Sequence, residues 1–392
     1  MDPILNPYAP GAGSRPPALT GRDPQIAAFG ILLKRLAAGR SAKSMLVTGL
    51  RGVGKTVLLQ RFRDMAEQVG YRTGDVEITH DTAFKPTMAR LSRRILLALD
   101  PAERVKDKVW QAARVFKAFS LKLPEGYEIG LDVDAVRGRA DSGDLGEDLG
   151  DLFIALGEAA AERGTGVVLL FDEMQFLERR DLEALIAAYH HAAQRELPLT
   201  IAGAGLPLLA RLAGEAKSYA ERLFDFPVID RLSDDAAREA LERPAGERDA
   251  SFEPAATRAI LAFTEGYPYF IQEFGLHVWN VAAGPTITLA DAQAAKRIVL
   301  AQLDENFFRV RIARTAPAER HYLSAMASLG PGPYATGDIA RALGKPVTAV
   351  APVRAKLIEK GLIYSPEHGA NAFTVPHFDD FVRRAYPHRQ TT

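Results

Sequence analysis

Gly49-Leu50-Arg51-Gly52-Val53-Gly54-Lys55-Thr56 places three glycines, a lysine and a hydroxyl at the spacing G-x-x-x-x-G-K-[ST]. Those residue types in that order suit one task, the holding of a chain of phosphates. Glycines let the backbone curl until several N–H groups point at one anion. A helix that starts at the loop adds the favourable field of its N-terminus. Lys55 is long enough to reach the β- and γ-phosphates, and the Thr56 hydroxyl is a hard oxygen ligand suited to Mg²⁺. The stretch from Gly49 to Thr56, with Val57 just behind it, is therefore the expected contact surface for ATP or ADP. A second set lies about 115 residues downstream, where Val167-Val168-Leu169-Leu170-Phe171 runs directly into Asp172-Glu173. An apolar strand ending in two carboxylates delivers them to the sheet edge where open α/β folds bind ligands. Asp172 is expected to hold Mg²⁺, directly or through water, and Glu173 to orient and deprotonate an attacking water.

These side chains need strands that end, and helices that begin, at one edge. Residues 45–48 form a short apolar run that stops at the glycine loop, and 55–69 follow with helical periodicity. The pattern predicts further strands at 71–79, 167–171, 199–202 and 226–229. Helices are predicted at 25–38, 86–99, 102–119, 145–163 and 182–195. Alternation of strands and helices predicts a parallel α/β sheet. The stretch 121–136 alternates around Glu125-Gly126 and reads as a β-hairpin. Past residue 230 the periods become helical, at 234–243, 254–264, 269–281 and 290–308. Residues 1–18, rich in proline and glycine, read as an extended arm.

Around residue 313 a third pattern begins. A helix over 316–329 is followed by a short helix ending at Gly344, then by a helix over 347–360 that stops at Gly361. Leu362-Ile363-Tyr364, Glu367-His368-Gly369 and Ala372-Phe373-Thr374-Val375 read as strand, turn and strand. Helix, helix, helix and wing in that order describe a winged helix, a module that places one helix in the major groove of duplex DNA. Lys345, Arg354, Lys356 and Lys360 lie before or along that helix and are the expected DNA contacts. The same module also serves as a protein-binding surface.

Composition limits the alternatives. The chain has 392 residues, 47% of them hydrophobic and 25% charged, which is the make-up of a globular protein and not of a disordered or collagenous one. It has no cysteine, which excludes disulfides, thiolate metal sites and a cysteine nucleophile. With 49 Lys+Arg against 49 Asp+Glu there is no global basic charge. Residues 315–392 nevertheless carry nine basic and six acidic side chains, a net of +3. No apolar run approaches the ~18–20 residues of a membrane span. The opening Met1-Asp2-Pro3-Ile4 lacks the basic and apolar regions of a signal peptide, so a cytoplasmic location is expected, without a membrane.

Taken in order, these motifs resemble AAA+ ATPases of the origin-recognition or initiator-like branch and their bacterial relatives with a C-terminal winged helix. The resemblance rests on Leu19-Thr20-Gly21-Arg22-Asp23, the loop at 49–56 and Phe171-Asp172-Glu173-Met174-Gln175-Phe176-Leu177. It rests further on Ala202-Gly203-Ala204-Gly205-Leu206-Pro207, Ala220-Glu221-Arg222-Leu223-Phe224 and Gly266-Tyr267-Pro268. It implies an α/β P-loop NTPase core over 1–230, an all-α lid over 231–312 and a winged helix over 313–392. It implies ATP hydrolysis with Mg²⁺, slow in the monomer, and a homo-oligomer in the ATP state. Arg222 stands where the family places an arginine finger that acts on a neighbour's nucleotide. Gly266-Tyr267-Pro268 opens a lid helix where relatives touch the nucleotide, with Pro268 as an expected contact, and the stretch from Tyr8 to Arg22 resembles the arm that packs on adenine. Two features depart from the family. The strand at 199–202 ends in Gly203-Ala204-Gly205, so no polar side chain there can sense the γ-phosphate, and no lid arginine stands in its usual place. Two outputs follow from the resemblance: nucleotide-controlled binding of double-stranded DNA, or a signalling switch whose winged helix binds protein.

Overall fold

The computed structural model describes residues 1–388 apart from 12, 15, 100–106, 122–133 and 368. The chain divides into two units. One comprises Arg22–Gly49 and Lys55–Ile229, the other Met1–Gly21, Leu50–Gly54 and Asp230–Thr392.

The first unit is built on a five-stranded sheet of β1 (Ser44–Thr48), β2 (Arg72–Glu77), β3 (Val167–Asp172), β4 (Leu199–Gly205) and β5 (Phe224–Asp225). Their order is β2-β3-β4-β1-β5, and every ladder is parallel. The helices are α1 (Asp23–Ala37), α2 (Lys55–Gln68), α3 (Phe84–Leu99), α4 (Asp107–Ser120), α5 (Leu145–Glu162), α6 (Arg179–Gln194), α7 (Leu209–Ala216) and α8 (Ala220–Leu223). Val167–Phe171 is buried throughout because β3 has a paired strand on each side and helices over both faces. That is why the strand reads as an unbroken apolar run without alternation. Phe116, Phe119, Phe153, Phe171 and Tyr189 fill the core between sheet and helices.

Two strands depart from expectation. β4 continues past residue 202 to Gly205, through the glycines at which the strand was expected to end. A Cβ on Gly203 would lie 2.2 Å from the Met174 sulfur and 2.6 Å from Leu46, so glycine is required there for space and not for a turn. The strand expected at 226–229 is displaced to Phe224–Asp225, and Val228 makes only an isolated bridge to Thr48. Most of the hairpin expected at 121–136, and the start of the helix at 102, lie outside the described residues.

The second unit begins with α9 (Asp234–Gly246), α10 (Pro254–Thr264), α11 (Pro268–Val281), α12 (Leu289–Gln302), a π-helical turn (Leu303–Phe308) and α13 (Arg309–Ala313). It differs from an all-α lid by one short parallel pair, β6 (Ser251–Phe252) with β7 (Thr286–Ile287). Two-residue strands carry no readable period, so only helices were legible there. The rest of the unit contains α14 (Pro317–Ser328), β8 (Tyr334–Ala335), α15 (Thr336–Ala342), α16 (Val347–Glu359), β9 (Ile363–Tyr364), β10 (Ala370–Phe373) and α17 (Phe378–Ala385). β10 pairs antiparallel with both β8 and β9. Phe308 stacks on Phe378 with ring centroids 5.4 Å apart, and Arg384 reaches Asp304 at 2.7 Å, so α17 packs on the π-helical turn. The N-terminal arm belongs to this unit: Asn6 donates to the Leu276 carbonyl at 2.9 Å and Thr20 to that of Ala236 at 2.9 Å. No helix among the described residues is long and apolar enough to cross a membrane.

Candidate nucleotide site

The glycine loop leaves β1 at its C-terminal end, where the Gly49 N–H donates to the Gly205 carbonyl at 3.1 Å. Gly52 and Gly54 have φ of +83° and +93°, left-handed values that glycine adopts without a Cβ clash. The chain then enters α2 directly at Lys55. Lys55 is buried, and its Nζ donates to the Gly49 carbonyl at 3.0 Å, which holds the ammonium across the mouth of the loop. Val53 is buried beneath the loop, while Leu50, Arg51 and Val57 are half-buried.

Strand order sets the rest of the site. β1 and β3 flank β4, and both run toward the same edge, so Asp172 arrives beside the start of α2. The Thr56 hydroxyl donates to Asp172 Oδ2 at 2.6 Å, and the Glu173 N–H donates to Asp172 Oδ1 at 2.8 Å. The two sequence-predicted metal ligands are thus brought together. Burial pushes the Asp172 carboxyl above its ordinary value, against the Thr56 hydrogen bond, with the neighbouring Glu173 charge adding to the rise. A carboxylate penalised by desolvation, paired with a hydroxyl in an all-oxygen donor set, fits a hard divalent cation such as Mg²⁺. A cavity of about 190 Å³ adjoins the pair and is lined by Thr56, Gln60, Arg63, Asp75, Glu77 and Asp172 among others.

Glu173 has φ of 54°, a left-handed backbone for a residue with a side chain. The kink turns the chain out of β3 into a single 3-10 turn, Met174–Phe176. The Gln175 amide donates to Glu173 Oε2 and thereby fixes the carboxylate.

The other expected residues are distributed differently. Arg222 lies on α8, just before β5, whose Phe224 pairs with Ser44 at the first residue of β1. The phosphate loop follows the last residue of β1, so Arg222 is at the opposite end of the sheet from its own chain's loop. It is exposed there and lines a cavity of about 680 Å³ with Arg35, Lys43, His190 and Asp225. Tyr8 is buried: its ring lies against Gly275 and its hydroxyl donates to the Leu241 carbonyl, so the side chain is engaged within its own unit.

Pro268 is the first residue of α11, and the tyrosine before it makes the contacts. The Tyr267 hydroxyl reaches the carbonyls of Arg51, at the tip of the phosphate loop, and of Thr374 at 3.1 Å. The Tyr269 N–H donates to the Gly52 carbonyl at 3.4 Å. Arg311 on α13 stacks 3.4 Å over the Phe307 ring and donates to the Phe307 carbonyl at 2.8 Å. Burial, and then the charge of Arg51, lower the Arg311 guanidinium to about 10. Arg311 was missed in the sequence, and Gly266-Tyr267-Pro268 was read there without assigning Tyr267 a contact of its own. Tyr267 is 216 residues from its loop partner, a separation that no local pattern reports.

Of the four expected DNA contacts, two serve the fold. Arg354 donates to Asn371 Oδ1 at 2.5 Å and to Ser365 Oγ at 2.9 Å, pinning α16 to β10. Lys360 pairs with Glu319 at 2.6 Å and donates to the Arg314 carbonyl at 3.1 Å. Lys345 and Lys356 are exposed.

Residues 18–202 match the family described as AAA ATPase domain. Residues 305–382 match a domain of unknown function, DUF8462. The fold is the P-loop AAA+ fold. The Walker-type ATPase PABY2304 of Pyrococcus abyssi superposes over 94% of this chain and 97% of its own, at 16% identity and a TM-score of 0.62. The RuvB Holliday junction branch migration motor of Thermotoga maritima covers 92% of this chain and 95% of its own at 16% identity, with a TM-score of 0.48. The Aeropyrum pernix ORC1 protein, solved in complex with DNA, covers 94% of each chain at 14% identity, with a TM-score of 0.45. No curated protein sequence matches the chain.

Proposed function

We propose that the chain binds ATP, hydrolyses it to ADP and phosphate, and uses its nucleotide state to control DNA binding by its C-terminal segment. The observation that carries the ATPase reading is the junction of Thr56, Asp172 and Glu173 at one sheet edge, at the start of α2. In this reading the loop N–H groups and Lys55 hold the β- and γ-phosphates. Thr56 and Asp172 hold Mg²⁺, which when bound supplies positive charge for the phosphate oxygens. Glu173 orients the attacking water and accepts its proton as the bond to the γ-phosphorus forms and the bond to the β-phosphate oxygen breaks. Arg51 and Arg311 place two guanidinium groups near the loop tip, a charge distribution suited to an anionic ligand. Pro268 contributes by setting the start of α11, and Arg222 acts on the nucleotide of a second copy in an ATP-bound homo-oligomer. The functional parts in this reading are a core over 1–230, a helical lid over 231–312 and a winged helix over 313–392, in a cytoplasmic protein.

The DNA output is supported by the element order of the C-terminal segment, its net charge of +3 and the exposed Lys345 and Lys356. A second reading, a regulatory ATPase whose winged helix binds protein, is favoured by the internal use of Arg354 and Lys360. Duplex titrations with ATP, with ADP and without nucleotide separate the two. DNA binding requires an affinity that falls linearly in log K against log salt. Absence of any salt-dependent binding in all three states selects the protein-binding reading. For the ATPase itself, Lys55→Ala abolishes nucleotide binding, whereas Glu173→Gln keeps binding and loses turnover. Normal turnover in Glu173→Gln refutes the assignment of the base.

A further inference from the structure

The end of β4 carries no polar side chain, and the structure shows why. A Cβ on Gly205 would lie 2.9 Å from Gln175 Oε1 and 2.8 Å from Leu209, just as one on Gly203 would run into Met174. The space that a strand side chain would occupy is filled from the other side, by the 3-10 turn that follows Glu173. Gln175 is buried, and both ends of its amide are engaged. Its Oε1 accepts the Leu206 N–H at 2.9 Å, at the first residue past β4, and its Nε2 donates to Glu173 Oε2.

The orientation of this amide follows from its partners. A backbone N–H can only donate, so the amide oxygen must face Leu206. The nitrogen then faces the carboxylate, which can accept. Glu173 also sits on a left-handed backbone, a conformation that a residue with a side chain keeps only where its surroundings hold it. The side chain meant to act on water is therefore held from two directions, by its own strained backbone and by an amide anchored to the neighbouring strand.

We infer that Gln175 is the positioning residue for Glu173, acting from the turn after β3 in the space that the glycine end of β4 leaves open. This rests on the reading of Glu173 as the group that activates water. Gln175 touches neither phosphate nor water in this role; it fixes the carboxylate that does.

The test uses the full chain and two variants. Gln175→Glu keeps the shape and the acceptor toward Leu206 but replaces the donor toward Glu173. Gln175→Leu removes both polar ends. Both variants should bind ATP with a Kd within about threefold of the parent while kcat falls by about tenfold or more, since a misplaced general base loses most of its contribution. Hydrogen exchange of the Leu206 amide in the nucleotide-free protein reads the geometry without turnover. It should stay protected in Gln175→Glu and lose protection in Gln175→Leu. Unchanged kcat in both variants overturns the inference. So does a rise in kcat, which would make Gln175 a restraint on Glu173. Loss of ATP binding in parallel with kcat in both variants also overturns it, by showing that Gln175 only supports the fold. If Glu173→Gln turns over ATP normally, the reading beneath fails as well, and that result identifies which of the two was wrong.

Discussion

Gly52 occupies a variable position of the phosphate-loop pattern, so the motif alone predicts that Gly52→Ala is tolerated. The structure predicts otherwise. At φ of +83° an alanine enters the left-handed region, at about 1–2 kcal/mol. Its Cβ would also lie 2.8 Å from Cε1 of Tyr267. That ring is 3% exposed and is tied by its hydroxyl to the Arg51 and Thr374 carbonyls, so it cannot withdraw without breaking those contacts. Overpacking of this kind costs about 1–3 kcal/mol, and the two costs together come to about 2–5 kcal/mol. The assay is a double-mutant cycle in urea with Gly52→Ala, Tyr267→Ala and the double variant, with ATP affinity measured on each. Removing the ring relieves the clash but not the backbone strain, so the double variant should be more stable than the sum of the two singles by about 1–3 kcal/mol. ATP affinity should fall in Gly52→Ala, because the loop N–H groups can no longer converge. A Gly52→Ala protein within about 0.5 kcal/mol of the parent, or additive effects across the cycle, would refute the argument.

Four further outcomes follow from the same structure. In Arg222→Ala, turnover per subunit should no longer rise with protein concentration while the dilute chain keeps its ATP affinity; a finger supplied by a neighbour is worth ~10³ or more in rate, so an unchanged concentration dependence removes the role. Burial raises the Asp172 carboxyl in the folded chain above the ordinary 3.8, so the folded state holds that proton to higher pH than the unfolded one. Its contribution to stability is therefore present below about pH 4 and is lost as pH rises through the raised value; Asp172→Asn should flatten that part of the midpoint-against-pH curve, and parallel curves would contradict the assignment. Arg354→Ala should lower stability by about 1–3 kcal/mol by taking from the buried Asn371 the guanidinium that donates to its Oδ1. Lys345→Ala and Lys356→Ala should instead leave stability within about 0.5 kcal/mol and each reduce the salt slope of DNA binding by about 1.

The parts of this protein that were legible in its sequence are those where chemistry or a strong period dictates residue type. A loop suited to phosphate needs backbone that curls, a lysine and a hydroxyl in fixed order, so the strand–loop–helix junction at 49–56 was readable without any neighbour. The buried β3 reads as a strand because both of its faces are covered, and Asp172 and Glu173 follow from where that strand must end. What was not legible depends on contacts distant in sequence. Gly203 and Gly205 were placed beyond the end of the strand, yet they lie in β4, because Met174 and Gln175 need the room that side chains would take.

Tyr8, read as an adenine contact, is a core residue of the C-terminal unit, since an aromatic in a proline-rich arm carries no sign of the helix it will cover. Arg354 and Lys360 fitted a DNA face by spacing along a helix, but spacing does not reveal that Asn371 and Glu319 stand opposite them. From sequence, the glycine end of β4 implied only that no side chain of that strand senses the γ-phosphate. The buried amide of Gln175 shows what those glycines make room for: when a strand end is made of glycine to admit a neighbour's side chain, the polar group in that space is on the neighbour.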